Sequence, residues 1–329
     1  MVRFLISRPS PRSPRLPAAI SPAGLFLVLA FCLSSCRLPA PAPVPQQPTA
    51  MRTQTAPALP TRTLISLPAT HASPSPTPLA SPTLQPSSTP IPLSCWSSPG
   101  HFESGSLDTD LLRNPLEFRI FLPPCYAELP HQAYPVLYLI HGQSYNDDQW
   151  ERLGAGDLIA QLSSSGELPP FIIVMPRDRL WSEPTEDKFG QAVAEILLPW
   201  VDASYRTLPE RQYRAVGGLS RGGAWALHLG ITYPELFSAV GMHSGFAFHT
   251  DAPYLRSRLE SIPTDLIPRF YLDVADHDRP DIYDSAVWFE AMLTEYNITH
   301  EWHIFQGYHE ESYWQAHVEQ YLRWYAQEW

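Results

Sequence analysis

The chain has 329 residues and a formal charge of -11, unevenly spread. Residues 1–94 carry seven arginines and no Asp, Glu or Lys, which leaves 15 basic and 33 acidic side chains in the remaining 235 residues, a net of -18. That acidic surplus excludes nucleic acid as a partner of the C-terminal part, because binding phosphates needs a basic surface.

At the N-terminus, Arg3, Arg8, Arg12 and Arg15 precede the apolar run Ala23 to Leu33. The run is too short to span a bilayer and has the layout of a secretory signal. It ends in Leu33-Ser34-Ser35-Cys36, which resembles the lipobox of bacterial lipoproteins. The resemblance implies cleavage before Cys36 and acyl chains on that residue. Several chains on one residue suffice for stable anchoring without a membrane span. The expectation is therefore an exported protein on the bacterial cell envelope, in contact with the membrane through its lipid anchor only. A plain signal peptide with a chance cysteine, or a marginal transmembrane helix, is the alternative.

Residues 37–94 hold 15 prolines in 58 positions. Such a stretch cannot bury enough apolar area to offset its ordering entropy, so it reads as a disordered Pro/Ser/Thr-rich linker. Residues 95–329 are rich in aromatic side chains and long enough for one α/β domain with a full core. Cys95 and Cys125 form an even pair, which in an exported protein suggests a disulfide, with two unpaired thiols as the alternative.

Within that domain, strands are expected at residues 118–126, 134–142, 169–176, 213–218, 237–245, 268–276 and 300–307, several of them continuously apolar, as strands covered on both faces are. Helices are expected over 187–205, with a stripe of Phe189, Val193, Leu197, Trp200 and Val201, over 220–233, and over 284–296, with Val287, Ala291 and Tyr296 on one face. Strands alternating with helices call for a mostly parallel sheet with helices on both faces and a site beyond the carboxyl ends of its strands. Loops are short, which predicts an open cleft with no large lid.

"AVGGLSRGGAW", Ala215 to Trp225, sets a G-x-S-x-G motif between an apolar strand and a helix. In that setting a serine stands on a tight turn with its hydroxyl exposed at a helix N-terminus, and the flanking Gly218 and Gly222 remove side chains that would collide. A serine hydroxyl needs a base to take its proton. Ala275-Asp276-His277-Asp278 and Tyr308-His309-Glu310-Glu311 each follow a later strand, so the order along the chain is Ser, Asp, His.

From "FRIFLPPCY" through "PVLYLIHGQSYNDDQW", "LLPWVDASYR", "RAVGGLSRGGAWAL" and "FYLDVADHD" to "GYHEESYW", the domain resembles the esterase D and antigen 85 group of α/β-hydrolases. The resemblance implies the α/β-hydrolase fold, with Ser220 as nucleophile, His309 as general base and then acid, and Asp278 orienting the imidazole. Asp276 is the reserve, and Asp273 is disfavoured because it lies inside the strand. The oxyanion should be met by the amides of Arg221, after the nucleophile, and of Gln143, in the loop after "LIHG".

His141 and His243, at strand ends, read as structural hydrogen-bonding groups, and Asn146-Asp147-Asp148 as a solvated acidic loop. Trp150, Trp181 and Trp314 fall in loops near the strand tips, either walling the site or packing on the core. His300 and His303 lack metal-ligand spacing, and no metal or cofactor is expected. The reading is a serine carboxylesterase acting on a small-molecule or carbohydrate ester. An acyltransferase using the same acyl-enzyme, or a non-catalytic binding module on this scaffold, is the rival. Substrate, acyl acceptor and oligomeric state stay open.

Overall fold

A computed structural model describes residues 93–329. The expected signal segment, Cys36 and the linker up to residue 92 lie outside the described residues. Strands β1 (His101–Leu107), β2 (Leu116–Leu122), β3 (Val136–Ile140), β4 (Ile172–Pro176), β5 (Arg214–Leu219), β6 (Ala239–His243), β7 (Arg269–His277) and β8 (His300–Tyr308) form one sheet in the order β1-β2-β4-β3-β5-β6-β7-β8. β1 and β2 pair antiparallel, as do β2 and β4, and all pairs from β4 through β8 are parallel. This is the mostly parallel sheet expected from the alternating pattern and the α/β-hydrolase fold that the resemblance implies.

Seven of the eight strands fall where the apolar runs put them. β3, β4, β5 and β6 are buried along their whole length because helices cover both faces. β1 was not expected: it lies at the sheet's edge, mostly exposed or half-buried, so its sequence lacks an apolar run.

The helices are α1 (Leu93–Trp96), α2 (Gln149–Arg152), α3 (Ala155–Ser164), α4 (Phe189–Ala192), α5 (Leu198–Ser204), α6 (Arg221–Thr232), α7 (Ala252–Ser261), α8 (Pro280–Glu295) and α9 (Glu311–Tyr325). One core layer packs α4 to α8 against the sheet through Phe189, Trp225, Leu255 and Phe289. The other packs α2, α3 and α9 on the opposite face through Trp150, Ile159, Trp314 and Tyr321. Between α4 and α5 the turn widens into a π-helix over Val193–Leu197, just ahead of Pro199, whose ring carries no amide proton for the usual helical bond.

Two expectations fail here. The buried face of α8 is Ile282, Ala286, Phe289, Met292 and Leu293, while Val287 and Ala291 face outward. Loop 146–148 is half-buried and paired: Asp147 lies 3.6 Å from Arg119 and Asp148 lies 3.3 Å from Arg152. Cys95 and Cys125 are bonded, with Cα atoms 5.0 Å apart, tying α1 to the end of β2.

Candidate active site

β5 delivers Ser220 to the tip of the sheet, and α6 starts at the next residue. The serine backbone has φ 54°, ψ -122°, a left-handed conformation that a non-glycine residue adopts only where its surroundings impose it. The flanking glycines explain the imposition. A Cβ on Gly218 would sit 2.3 Å from the Gly222 carbonyl carbon, and a Cβ on Gly222 would sit 2.1 Å from the Ile140 oxygen. The Ser220 amide donates to the His243 carbonyl at 2.8 Å, which pins the turn to β6.

The three separated side chains meet. His309, one residue past β8, places Nε2 2.8 Å from Ser220 Oγ. Its Nδ1 lies 2.8 Å from Asp278 Oδ1, and the Asp278 side chain is fully buried. This second contact is close but does not meet hydrogen-bond geometry, leaving Nδ1 and Asp278 Oδ2 without a hydrogen bond. With the Asp278 carboxylate 2.8 Å from Nδ1, the proton of a neutral imidazole belongs on that nitrogen, which leaves Nε2 to accept from the Ser220 hydroxyl. Trp314 holds the ring from the side, edge-on, with centroids 5.0 Å apart.

The other two carboxylates are engaged elsewhere. Asp276 is exposed and accepts from the Gly307 amide at 2.9 Å, with His277 Nδ1 at 2.8 Å. Asp273 is buried below the site, in contact with His243 Nδ1 at 2.6 Å, and accepts from Tyr313 at 2.7 Å and Tyr321 at 3.0 Å. His243 Nε2 meets the Tyr325 hydroxyl at 2.9 Å, so this histidine is structural, as expected. Burial, with the Asp273 charge second, pushes the Tyr313 and Tyr321 hydroxyls well above the ordinary tyrosine range, so they stay protonated donors.

A cleft of about 420 Å³ opens over Ser220, lined by Gln143, Tyr145, Phe246, Arg279, His309 and Trp314 among others. Gln143 is exposed at its rim. Gly142 sits against Ser220: a Cβ there would lie 3.6 Å from Ser220 Cβ. Of the three tryptophans, Trp314 lines this cleft. Trp150 is buried and donates to the Ile140 carbonyl at 3.0 Å, and Trp181 is 65% exposed away from the cleft lining.

Sequence reasoning missed the polar layer under the site. The buried Arg221 guanidinium donates through Nε to Asp178 Oδ2 at 2.6 Å, and the Trp225 indole donates to the same oxygen at 2.9 Å. Asp178 follows β4, and a carboxylate at the end of a fully apolar strand was the available signal. His300 and His303 are bound locally, to the Ile298 carbonyl and beside Glu301.

With this geometry in view, comparison with known proteins identifies the class. The family described as "Putative esterase" matches residues 110–325, and the chain belongs to it. The chain is 31% identical over 137 residues to an endo-1,4-beta-xylanase/feruloyl esterase of Xylanibacter ruminicola, covering 38% of this chain and 19% of that protein. It is 36% identical over 136 residues to an esterase of Mycobacterium tuberculosis, covering 38% of this chain and 28% of that protein. The matched regions thus span 19% to 28% of these relatives' own length.

Among solved structures, a ferulic acid esterase superposes with a TM-score of 0.62 at 23% identity, over 69% of this chain and 98% of that one. A feruloyl esterase module from Clostridium thermocellum, complexed with sinapinate, superposes with a TM-score of 0.58 at 17% identity, over 73% and 93%. An S-formylglutathione hydrolase from Staphylococcus aureus gives 0.55 at 14%, over 69% and 98%. These likenesses show the fold.

Proposed function

We propose that this chain is a serine carboxylesterase of the cell envelope, in which Ser220 attacks an ester carbonyl, His309 takes and returns the proton, and Asp278 orients the imidazole. The observation that carries the reading is the 2.8 Å approach of His309 Nε2 to Ser220 Oγ. Attack forms a bond from Ser220 Oγ to the carbonyl carbon while the hydroxyl proton passes to Nε2. The oxyanion is met by the amides of Arg221 and Gln143. His309 then gives the proton to the leaving alcohol, and the acyl-enzyme is hydrolysed by a water that His309 activates in turn.

The aromatic and polar lining of the cleft suits an aryl acyl or sugar alcohol group, and membership of an esterase family with feruloyl esterase relatives supports a small-molecule or carbohydrate ester. The envelope location rests on the Leu33-Ser34-Ser35-Cys36 pattern alone. A fluorophosphonate probe should label the full-length chain and leave Ser220→Ala unlabelled, and a panel of acetyl and feruloyl esters should be turned over by the first and not the second. Equal labelling of both rejects the assignment. Acyl transfer to an added sugar in place of hydrolysis would reassign the acceptor while keeping the relay.

A further inference from the structure

The peptide joining Gly142 to Gln143 is held by side chains that stand outside the relay. The Gly142 carbonyl lies 2.7 Å from His141 Nδ1, and His141 Nε2 lies 3.0 Å from the Asp178 amide nitrogen. A ring nitrogen that accepts from a backbone N–H carries no proton, so the imidazole proton sits on Nδ1 and is donated to the Gly142 carbonyl. On the other side of the residue, the Gly142 amide donates to Gln149 Oε1 at 2.9 Å. In a trans peptide the carbonyl and the following N–H point opposite ways. Fixing the Gly142 carbonyl therefore fixes the direction of the N–H of Gln143, which lines the same cleft as Ser220.

Gln149 is fully buried and has a second partner. With its Oε1 occupied by Gly142, its Nε2 donates to Glu311 Oε1 at 3.1 Å. Glu311 begins α9, two residues beyond His309. Arg152 reaches the same carboxylate at 2.9 and 3.1 Å, so Glu311 is itself held in place. One buried amide thus bridges the loop that carries the Gln143 N–H and the turn that carries His309.

We propose that Gln149 is a positioning residue that anchors the Gly142 N–H, so that together with His141 on the Gly142 carbonyl it sets the Gly142–Gln143 peptide toward the oxyanion and, through Glu311, keeps it in register with the His309 turn. The proposal rests on the esterase reading, with Ser220 as nucleophile and the Gln143 amide as an oxyanion donor.

The test uses the full-length chain, an aryl acetate, and phenylboronic acid, whose serine adduct carries a negative oxygen where the oxyanion forms. Losing an oxyanion donor outright costs roughly 100- to 1,000-fold in kcat. A donor turned off its line should lose part of that, so Gln149→Leu is expected to lower kcat about 10- to 100-fold, leave KM within about threefold and weaken boronate binding in proportion to kcat. A purely structural role would lower the melting temperature or the fraction of probe-reactive enzyme without changing kcat per reactive site.

Gln149→Glu alone sets two carboxylates against each other. Combining it with Glu311→Gln restores one amide donor and one carboxylate acceptor with their positions exchanged, and should recover at least tenfold of the lost kcat. Wild-type kcat and boronate affinity in Gln149→Leu, or a double variant no better than Gln149→Glu, overturns the proposal. Should Gln149→Leu fail to fold, the comparison of the two isosteric variants decides alone. Undiminished turnover by Ser220→Ala is a different result: it removes the esterase reading, and the proposal with it.

Discussion

Asp278 and Asp276 stand two positions apart on the same strand end, yet the fold gives them opposite surroundings. Asp278 has a fully buried side chain against His309, while Asp276 caps the Gly307 amide in solvent. Asp278→Asn should therefore lower kcat on an aryl ester by roughly 1,000- to 10,000-fold, as expected when the imidazole loses the carboxylate that fixes its tautomer. Asp276→Asn should change it by less than about threefold, and steady-state kinetics on the two variants checks the pair. A second residue-scale prediction concerns Asp187, which accepts from the Phe189 amide at 3.0 Å in a buried setting. Burial, and the Asp178 charge after it, push its carboxyl up to about 6. The folded state then holds this proton more tightly than the unfolded chain. Its ionisation costs nothing below the ordinary aspartate range, and the cost is fully present above about pH 6. Asp187→Asn keeps the acceptor oxygen and removes the charge, so it should raise stability at pH 7.5 by on the order of 2 kcal/mol, a gain that fades as pH falls toward 4. Denaturant unfolding at both pH values reads the difference.

The site's chain-local parts could be read from sequence because strand, glycine turn and helix lie within a dozen residues around Ser220, and because Asp278 and His309 each follow a strand expected from the sequence. The parts that could not be read are held by long-range partners. Nothing near Gln149 announces that it will meet Glu311, 162 positions away, or that Asp178 will meet Arg221, 43 away.

At the scale of elements, β3, β4, β5 and β6 were predictable because each is buried on both faces, whereas the edge strand β1 has no buried residue and carries no apolar run. The α8 helix shows a different limit. Its sequence offers apolar positions on more than one side, and only packing against β7 selects Ile282, Ala286, Phe289 and Leu293 over Val287 and Ala291. Phe289→Ala should therefore destabilise the fold by about 3–5 kcal/mol, while Val287→Ala should stay near 0.5 kcal/mol, as measured by urea unfolding. The disulfide acts on another element pair. It joins residues 30 positions apart, so replacing both Cys95 and Cys125 by alanine should cost about 2–4 kcal/mol, compared with the wild type under non-reducing conditions.

For the molecule as a whole, Ser220, Asp278 and His309 come from three regions of the chain to the carboxyl ends of the strands, and Gly142 lines the same cleft from a fourth. The order of strands makes this possible: β3, β5, β7 and β8 all point their carboxyl ends the same way. Attachment of that assembly to an envelope is a separate claim, carried by Cys36. Cys36→Ser should move the protein from the membrane fraction to the soluble fraction of an expressing bacterium, and retention in the membrane would reject the lipid anchor. The esterase claim itself can be tested at one atom. Trypsin cuts after Arg214 and Arg221, releasing Ala215 to Arg221, a peptide whose only side-chain hydroxyl is that of Ser220. Rapid acid quenching of the full-length protein during turnover of 4-nitrophenyl acetate, followed by mass spectrometry, should find one acetyl group on that peptide. Turnover with the acetyl group on another peptide would contradict the account.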